Sequence, residues 1–305
     1  MSKGEDSLTA YFAEAKELPE SLFPIGIGDD MAQMLVEGGG SVLITTDMLL
    51  DGTHFDLSQI SVEQAGAKAM NASLSDCAAM ATRPMCAVVA VGLPKGFDEN
   101  QLKQLHKGIV KAGEAYGCYL VGGDITSWND AAGRLAINVT MLSVPSSKHP
   151  VRRSGARAGD VICVTGLLGG SIKGKHIDFT PRVKEALELI RIADISAMMD
   201  ITDGLSSDLN RICVQSGVGA SVSESEIPFS DEAVKSGDPL KAALNDGEDF
   251  ELLFTLKPDE YQKLIDNWAL PLAITKIGVI EQELAMRLIR ADGKIEEFNS
   301  GGYDH

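Results

Sequence analysis

Carboxylates flanked by glycines or hydroxyls recur along this 305-residue chain. They stand in Gly26-Ile-Gly28-Asp29-Asp30, Thr45-Thr46-Asp47, Ser75-Asp76, Gly122-Gly123-Asp124, Asp200-Ile-Thr202-Asp203-Gly204 and Gly247-Glu248-Asp249. Taken singly, each reads as a turn or N-cap carboxylate at the end of a strand or helix. Six together mean something else, because two carboxylates about 4 Å apart repel by about 4 kcal/mol at an effective dielectric of about 20. A cleft that gathers them needs a cation. Mg²⁺ suits carboxylate, hydroxyl and water ligands and commonly bridges them to substrate phosphates. The lack of cysteine or histidine pairs disfavours zinc and copper. The expected chemistry is therefore metal-assisted phosphoryl transfer, with metals neutralising the charge of the moving group. Calcium binding without chemistry is the alternative. An EF-hand does not fit, since the loop opened by Asp200 has Gly204 at position five and Arg211 at position twelve.

Gly169-Gly-Ser-Ile-Lys-Gly174-Lys175-His176 almost spells a phosphate-binding G-x-x-x-x-G-K-[ST] loop. His176 takes the place of the Mg²⁺-binding hydroxyl, and Asp178-Phe-Thr-Pro181 interrupts the helix whose amides would cradle phosphate. A flexible glycine loop is expected instead. The patterns G-x-S-x-G, H-E-x-x-H and G-x-G-x-x-G are absent. The five histidines are scattered. His106 reads as a surface residue, whereas His54, close behind the Thr45-Thr46-Asp47 turn, is placed to donate to an anionic substrate.

With 27 Lys plus Arg against 44 Asp plus Glu, the net charge is −17. That balance argues against a nucleic-acid binder and against docking on an anionic membrane. Hydrophobic content of 44% and 31 glycines indicate a globular, loop-rich chain. Five widely spaced cysteines with no C-x-x-C predict neither a disulfide framework nor a cysteine zinc site. The first residues, MSKGEDSLTAYFAEAKE, lack an apolar signal core, and no run approaches the roughly 18–20 apolar residues of a membrane span. A soluble, cytoplasmic protein is expected.

The elements that must position these residues alternate. Ser41–Thr46 reads as a strand. Ser61, with Gln64 three residues on, opens a helix that Arg83-Pro84 stops. Met85–Val91 is a buried strand, Asp98 caps a second helix closed by Gly117, and strands follow at Cys118–Val121 and Leu135–Val144. The polar stretch Ser146–Asp160 marks the domain boundary. Beyond it come a strand at Val161–Thr165, helices at Pro181–Ile192, Leu205–Ser216 and Pro258–Trp268, and strands at Phe250–Leu256, Ile274–Ile280 and Met286–Arg290. The fold class is α/β (α+β), as two mixed domains spanning residues 1–148 and 149–305.

In their order, the motifs resemble the thiamine-monophosphate kinase family of the aminoimidazole-ribonucleotide-synthetase-like superfamily. The likeness runs from Gly26-Ile-Gly-Asp-Asp30 through Thr45–Phe55, Asn71–Met80, Leu120–Thr126, Arg153–Asp160, Met199–Leu205 and Asp246–Phe254 to Gly302-Tyr-Asp-His305. It implies ATP-dependent phosphorylation of thiamine monophosphate to thiamine diphosphate, several Mg²⁺ ions, and a homodimer built through the N-terminal domains with nucleotide near that interface. By motif position, Asp30, Thr45, Thr46, Asp47, Asp76, Asp124, Asp200 and Asp203 would serve the metal. Gly123, Asp124, Arg153 and Thr202 would lie at the nucleotide, and His54, Glu248 and Tyr303 at the thiamine phosphate. Among these, Asp30, Asp47, Asp124, Arg153 and Asp203 would act on the transfer itself. Arg153 can fork onto phosphate, Glu248 can meet a cationic ring system and Tyr303 can stack on one.

The acceptor is already a phosphate oxygen, so no strong general base is needed and no phosphoenzyme is expected. The sequence departs from the family pattern in four places. Asn245-Asp246 replaces the usual Ser-Gly, Thr202 replaces serine, the stretch after Ser171 is shortened, and the end lacks a further aromatic. Within the superfamily, selenophosphate synthetase uses an N-terminal cysteine or selenocysteine, but here no cysteine precedes Cys77. The hydrogenase-maturation member uses a C-terminal cysteine, and this sequence ends Tyr-Asp-His. Aminoimidazole ribonucleotide synthetase is the nearest enzymatic rival, and a catalytically silent nucleotide sensor is the rival from another class.

Overall fold

The structure, a computed structural model, describes residues 11, 18–146, 149–298 and 301. Its N-terminal half is one five-stranded sheet, ordered β1-β2-β5-β3-β4. The strands are β1 (Ala32–Val36), β2 (Gly40–Leu50), β3 (Thr82–Leu93), β4 (Tyr119–Ser127) and β5 (Ala136–Pro145). Helix α1 (Val62–Ala79) joins β2 to β3. Helix α2 (Glu99–Glu114) is the crossover between the parallel pair β3 and β4. Both helices open with complete capping boxes, Ser61 with Gln64, as their spacing predicts, and Asp98, predicted as a cap, with Gln101.

Pro84 lies inside β3 rather than stopping the helix, which has already ended at Ala79. The ladder tolerates it because β4 pairs with β3 only from Cys86 onward, so this end of β3 has an open edge that asks for no N–H.

The C-terminal half is a seven-stranded sheet ordered β12-β11-β8-β10-β6-β9-β7. Its strands are β6 (Val161–Thr165), β7 (Ile195–Asp200), β8 (Gly219–Ser223), β9 (Leu252–Leu256), β10 (Ile274–Glu281), β11 (Met286–Ile289) and β12 (Ile295–Glu297). The helices are α3 (Lys175–Asp178), α4 (Val183–Ile192), α5 (Leu205–Ser216), α6 (Asp231–Lys235), α7 (Pro239–Asn245) and α8 (Pro258–Asn267). Alternation along β6 divides the core in two. Val161 and Cys163 join α4 and α8, while Ile162 and Val164 face α5 on the other side. Being covered on both faces explains why β6 reads as a continuous apolar run.

Helix α1 is buried nearly all round, packing on the N-terminal sheet on one side and on β7 and α4 on the other. Its small alanines suit that close approach, and Gly66 admits α2, since a Cβ there would come within 2.5 Å of the Leu105 carbonyl. The helix therefore spans the junction of the two sheets, and it carries several of the acidic and hydroxyl residues singled out above.

Candidate active site

Three of the predicted acidic motifs are not at turns. Asp47 is in mid-strand, Asp76 lies in the last turn of α1, and Asp124 belongs to β4. Strand alternation turns Thr45 and Asp47 inward with Leu43 and Leu49, toward α1. There the Thr45 hydroxyl donates to Asp76. Ser73 donates to Asp47 at 2.5 Å, and Ser75 donates to Asp200 at 2.5 Å across the junction of the sheets.

Oxygens of Asp30, Asp76 and Asp200 lie within 4.8 Å of one another. Their environment resists charge. Burial pushes the Asp200 carboxyl up to about 8, Asp30 adds to the rise, and the Ser75 hydroxyl opposes it. Asp76 is held well above the ordinary range by burial, then by Asp47, Asp200 and Asp30. Asp47 is raised by burial against the pull of Ser73. Asp76 also sits at the negative end of the α1 dipole. Among the described residues only oxygen donors meet here, the set that a hard divalent cation such as Mg²⁺ prefers.

Two arginines border the cluster. Arg153, in the irregular segment before β6, donates from Nη2 to Asp30 at 2.6 Å, from Nε to the same carboxylate at 3.3 Å, and from Nη1 to the Gly28 carbonyl at 3.1 Å. Burial works against its charge, but Asp30 outweighs this and raises its pKa. Arg211, on α5, bridges Asp203 at 2.5 Å and Asp208 at 2.7 Å. Asp208 is fully enclosed and accepts the N–H groups of Thr202 and Asp203, at 3.0 and 3.1 Å, which fixes the turn after β7. Burial, then Asp203, pushes the Asp208 carboxyl up to about 7. The turn closes on Gly204 at φ +106°, where a Cβ would meet the Leu244 carbonyl at 2.6 Å.

The far end of the cleft holds His54 and Glu248. His54 accepts the Leu50 N–H at Nδ1, 3.0 Å, which in the neutral ring places the proton on Nε2. Glu248 has φ +51° and Phe250 φ +49°, and the Phe250 ring stacks on Phe179 with centroids 3.7 Å apart. Lys68, fully buried in α1, donates to both Glu248 oxygens at 2.9 Å and to the His54 carbonyl at 2.5 Å. The cleft has a volume of about 790 Å³, and the residues that line it include Asp30, Asp47, Asp76, Asp200, Arg153 and Glu248.

The glycine segment after Leu168 is closed to phosphate. The Gly169 N–H donates to both Asp249 oxygens, at 3.0 and 2.8 Å, and the Gly170 N–H to Asp246 at 3.2 Å. Lys175 is paired with Glu251 at 2.8 Å, and His176 Nδ1 contacts the Ser171 carbonyl. Carboxylates of the chain itself occupy the amides of Gly169 and Gly170, and the Gly170 and Ser171 carbonyls take those of Lys173 and Gly174.

The structure gathers Asp30, Thr45, Asp47, Asp76, Arg153, Asp200, Thr202, Asp203, His54 and Glu248 around one cleft. Thr46 also borders the cleft, but its hydroxyl is directed to Thr140 at 3.0 Å rather than to the carboxylates. Gly123 and Asp124 lie on the exposed strand β4, apart from the cleft. Tyr303 lies outside the described residues. Sequence reasoning missed Lys68, Asp208 and Arg211. The available signal was a lone charge inside Ala65-Gly-Ala-Lys68-Ala-Met, and an Asp-Arg pair three residues apart just after Asp203.

Fold and site together define a two-domain protein of the AIR synthase related class. Residues 28–144 match the model of the AIR synthase related protein N-terminal domain, and 157–289 match that of the C-terminal domain. Over full length, the chain is 34% identical to the thiamine-monophosphate kinase of Rhodopirellula baltica, covering 99% of this chain and 97% of that one. It is 31% identical to the thiamine-monophosphate kinase of Haemophilus influenzae, with 100% and 98% covered. A solved structure described as AaThiL complexed with AMPPCP and TMP superposes with a TM-score of 0.82 at 29% identity, over 99% of this chain and 97% of that one. The chain belongs to the thiamine-monophosphate kinase family, a family of enzymes.

Proposed function

We propose that the protein transfers the γ-phosphoryl group of ATP to the phosphate of thiamine monophosphate, by direct in-line displacement, giving thiamine diphosphate as the last step of its biosynthesis. The observation that carries this reading is the convergence of Asp30, Asp76 and Asp200 within 4.8 Å beside the Arg153 fork. A relative of the same fold is described with both an ATP analogue and TMP, which supports the two substrates.

Asp30, Thr45, Asp47, Asp76, Asp200 and Asp203 would hold Mg²⁺, with Thr46 at the border of the cleft, whereas Asp124 stands on β4, apart from this cleft. When bound, Mg²⁺ neutralises phosphate charge and lets two anions approach. Arg153, fixed by Asp30 and the Gly28 carbonyl, presents its guanidinium at the same place and aligns donor with acceptor. Thr202 offers its hydroxyl to the nucleotide. His54 Nε2–H donates to the acceptor phosphate, Glu248 faces the cationic ring system, and Tyr303 would stack on it. The acceptor oxygen is itself the nucleophile, so none of these residues need abstract a proton.

We read the chain as two domains, 1–148 and 149–305, and as a homodimer. Ile44, Met48, Met85 and Val88 leave an apolar outer face on the N-terminal sheet, with Ile44 and Met48 at the edge of the cleft, and Val121 and Ile125 are exposed on strand β4. Gly123 and Asp124 lie beside that face, in keeping with a nucleotide site completed near the interface. The five cysteines are free thiols, the state a reducing cytoplasm maintains. None of the described helices is long and apolar enough to cross a membrane.

The test is thiamine diphosphate formation from ATP, Mg²⁺ and thiamine monophosphate, with free thiamine and aminoimidazole ribonucleotide precursors as parallel acceptors. Product from the monophosphate alone is expected. Nucleotide binding without product from any acceptor would move the protein to the sensor class.

A further inference from the structure

A lysine with no solvent exposure is costly. Burial strips its hydration and lowers its ammonium pKa, with Glu248 opposing. Lys68 has three N–H donors, and three acceptors meet them: both Glu248 oxygens and the His54 carbonyl. No donor is left over for a phosphate. Glu248 keeps 25% of its side chain exposed in the cleft. It also has φ +51°, a conformation that a residue with a Cβ holds only when its surroundings insist. Two contacts do so, the Glu248 N–H to the Thr202 carbonyl at 2.7 Å and Lys68 on the carboxylate.

The same helix carries Ser73, Ser75 and Asp76, which contact Asp47, Asp200 and Thr45. At 1.5 Å per residue, Lys68 and Asp76 are about 12 Å apart along the α1 axis. Helix α1 is therefore one rigid body, with the carboxylate cluster at one end and the residues proposed to face the acceptor at the other.

We propose that Lys68 is a positioning residue for acceptor recognition: it locks Glu248 and the His54 loop to α1 and so fixes the acceptor's distance from the carboxylate cluster. This rests on the function proposed above. Lys68 touches neither substrate and acts through Glu248.

The test is steady-state kinetics of the full-length protein and its K68M, K68R, E248Q and K68M/E248Q variants, with thermal melts of each. In K68M, the KM for thiamine monophosphate is expected to rise by about tenfold to 10²-fold, while the KM for ATP stays within about twofold. K68R should recover part of that loss by keeping a cation beside Glu248. Adding K68M to E248Q should do little further, because both remove one interaction. An unchanged acceptor KM in folded K68M overturns the inference. So do additive effects in the double variant, or a parallel fall in ATP and acceptor parameters together with the melting temperature, which marks a purely structural lysine. If K68M does not fold, K68R and E248Q decide: the acceptor KM must rise in both with that for ATP unchanged. Wild-type protein that makes no thiamine diphosphate removes the proposed function and this inference together. Wild-type turnover with normal K68M kinetics removes the inference alone.

Discussion

Arg153 grips Asp30 through two of its nitrogens, at 2.6 and 3.3 Å, although the two residues are 123 positions apart in the chain. The pair joins the segment entering the C-terminal sheet to the loop before β1, where Arg153 N–H also donates to Asp29 at 2.7 Å. Lysine cannot reproduce such a fork. Arg153→Lys should keep the fold and lower kcat/KM by about tenfold to 10²-fold, a loss that initial-rate measurements at varied ATP would show.

Asp47 is half-buried at the cleft and bonded to Ser73, with no positive partner among the groups that set its pKa. Asp47→Asn keeps the size and removes charge. Turnover should fall by about 10²-fold or more, while melting temperature in divalent-free buffer stays level or rises because repulsion with Asp30 and Asp76 is relieved. Near-normal turnover would take Asp47 out of the metal site.

The acidic cluster predicts a stability profile of unusual sign. Asp47, Asp76 and Asp200 have folded pKa values above the ordinary 3.8, Asp200 reaching about 8. Between those limits the folded chain holds protons that the unfolded chain releases, so the stability these groups allow is complete below about pH 4 and is lost as pH rises toward 8. Melting temperature in chelator-treated buffer should therefore fall across that window. Mg²⁺ competes with the protons, so the rise it produces should be larger at about pH 8 than at about pH 5.5. A Mg²⁺ effect independent of pH would speak against these carboxylates as its ligands.

Asp208 accepts two backbone N–H groups and pairs with Arg211 without reaching the cluster itself. Asp208→Ala leaves those donors unmatched and should cost about 3 kcal/mol in urea unfolding. Asp208→Asn can still accept from the backbone and should cost less, about 1 kcal/mol. Equal stability of both variants would mean that the Thr202–Asp203 turn holds its shape unaided.

The apolar outer face of the N-terminal sheet predicts a dimer. Sedimentation of the native protein should give twice the 32.4 kDa chain mass. Val121→Asp on the exposed strand β4 should give a folded monomer with reduced activity. A monomeric native protein with full turnover would contradict the assembly.

How far the sequence reached depended on whether a signal was local. Ser61 with Gln64, and Asp98 as a cap, marked two helix starts, because a capping contact is satisfied within four residues. The apolar run Val161–Thr165 marked a strand, and its cover on both faces is what the structure added. Oxygen donors without sulfur or imidazole partners pointed to a hard divalent cation such as Mg²⁺, since donor chemistry is a property of residue type.

Other features depended on residues distant in the chain. Asp47, Asp76 and Asp124 look alike beside their hydroxyls and glycines, yet one faces inward from a strand, one ends a helix and one lies on an exposed strand. The glycine segment near Lys175 already failed as a phosphate cradle at His176, but only tertiary structure brings Asp249 and Asp246, from far along the chain, onto its amides. Lys68 carried no meaning of its own until packing placed Glu248, 180 residues away, against its ammonium group. Residue type sets which bonds a side chain can make, and that much the sequence determined alone. Which partner arrives is decided by the packing of α1 between two sheets, and burial there turns ordinary acids and one lysine into groups that must be paired.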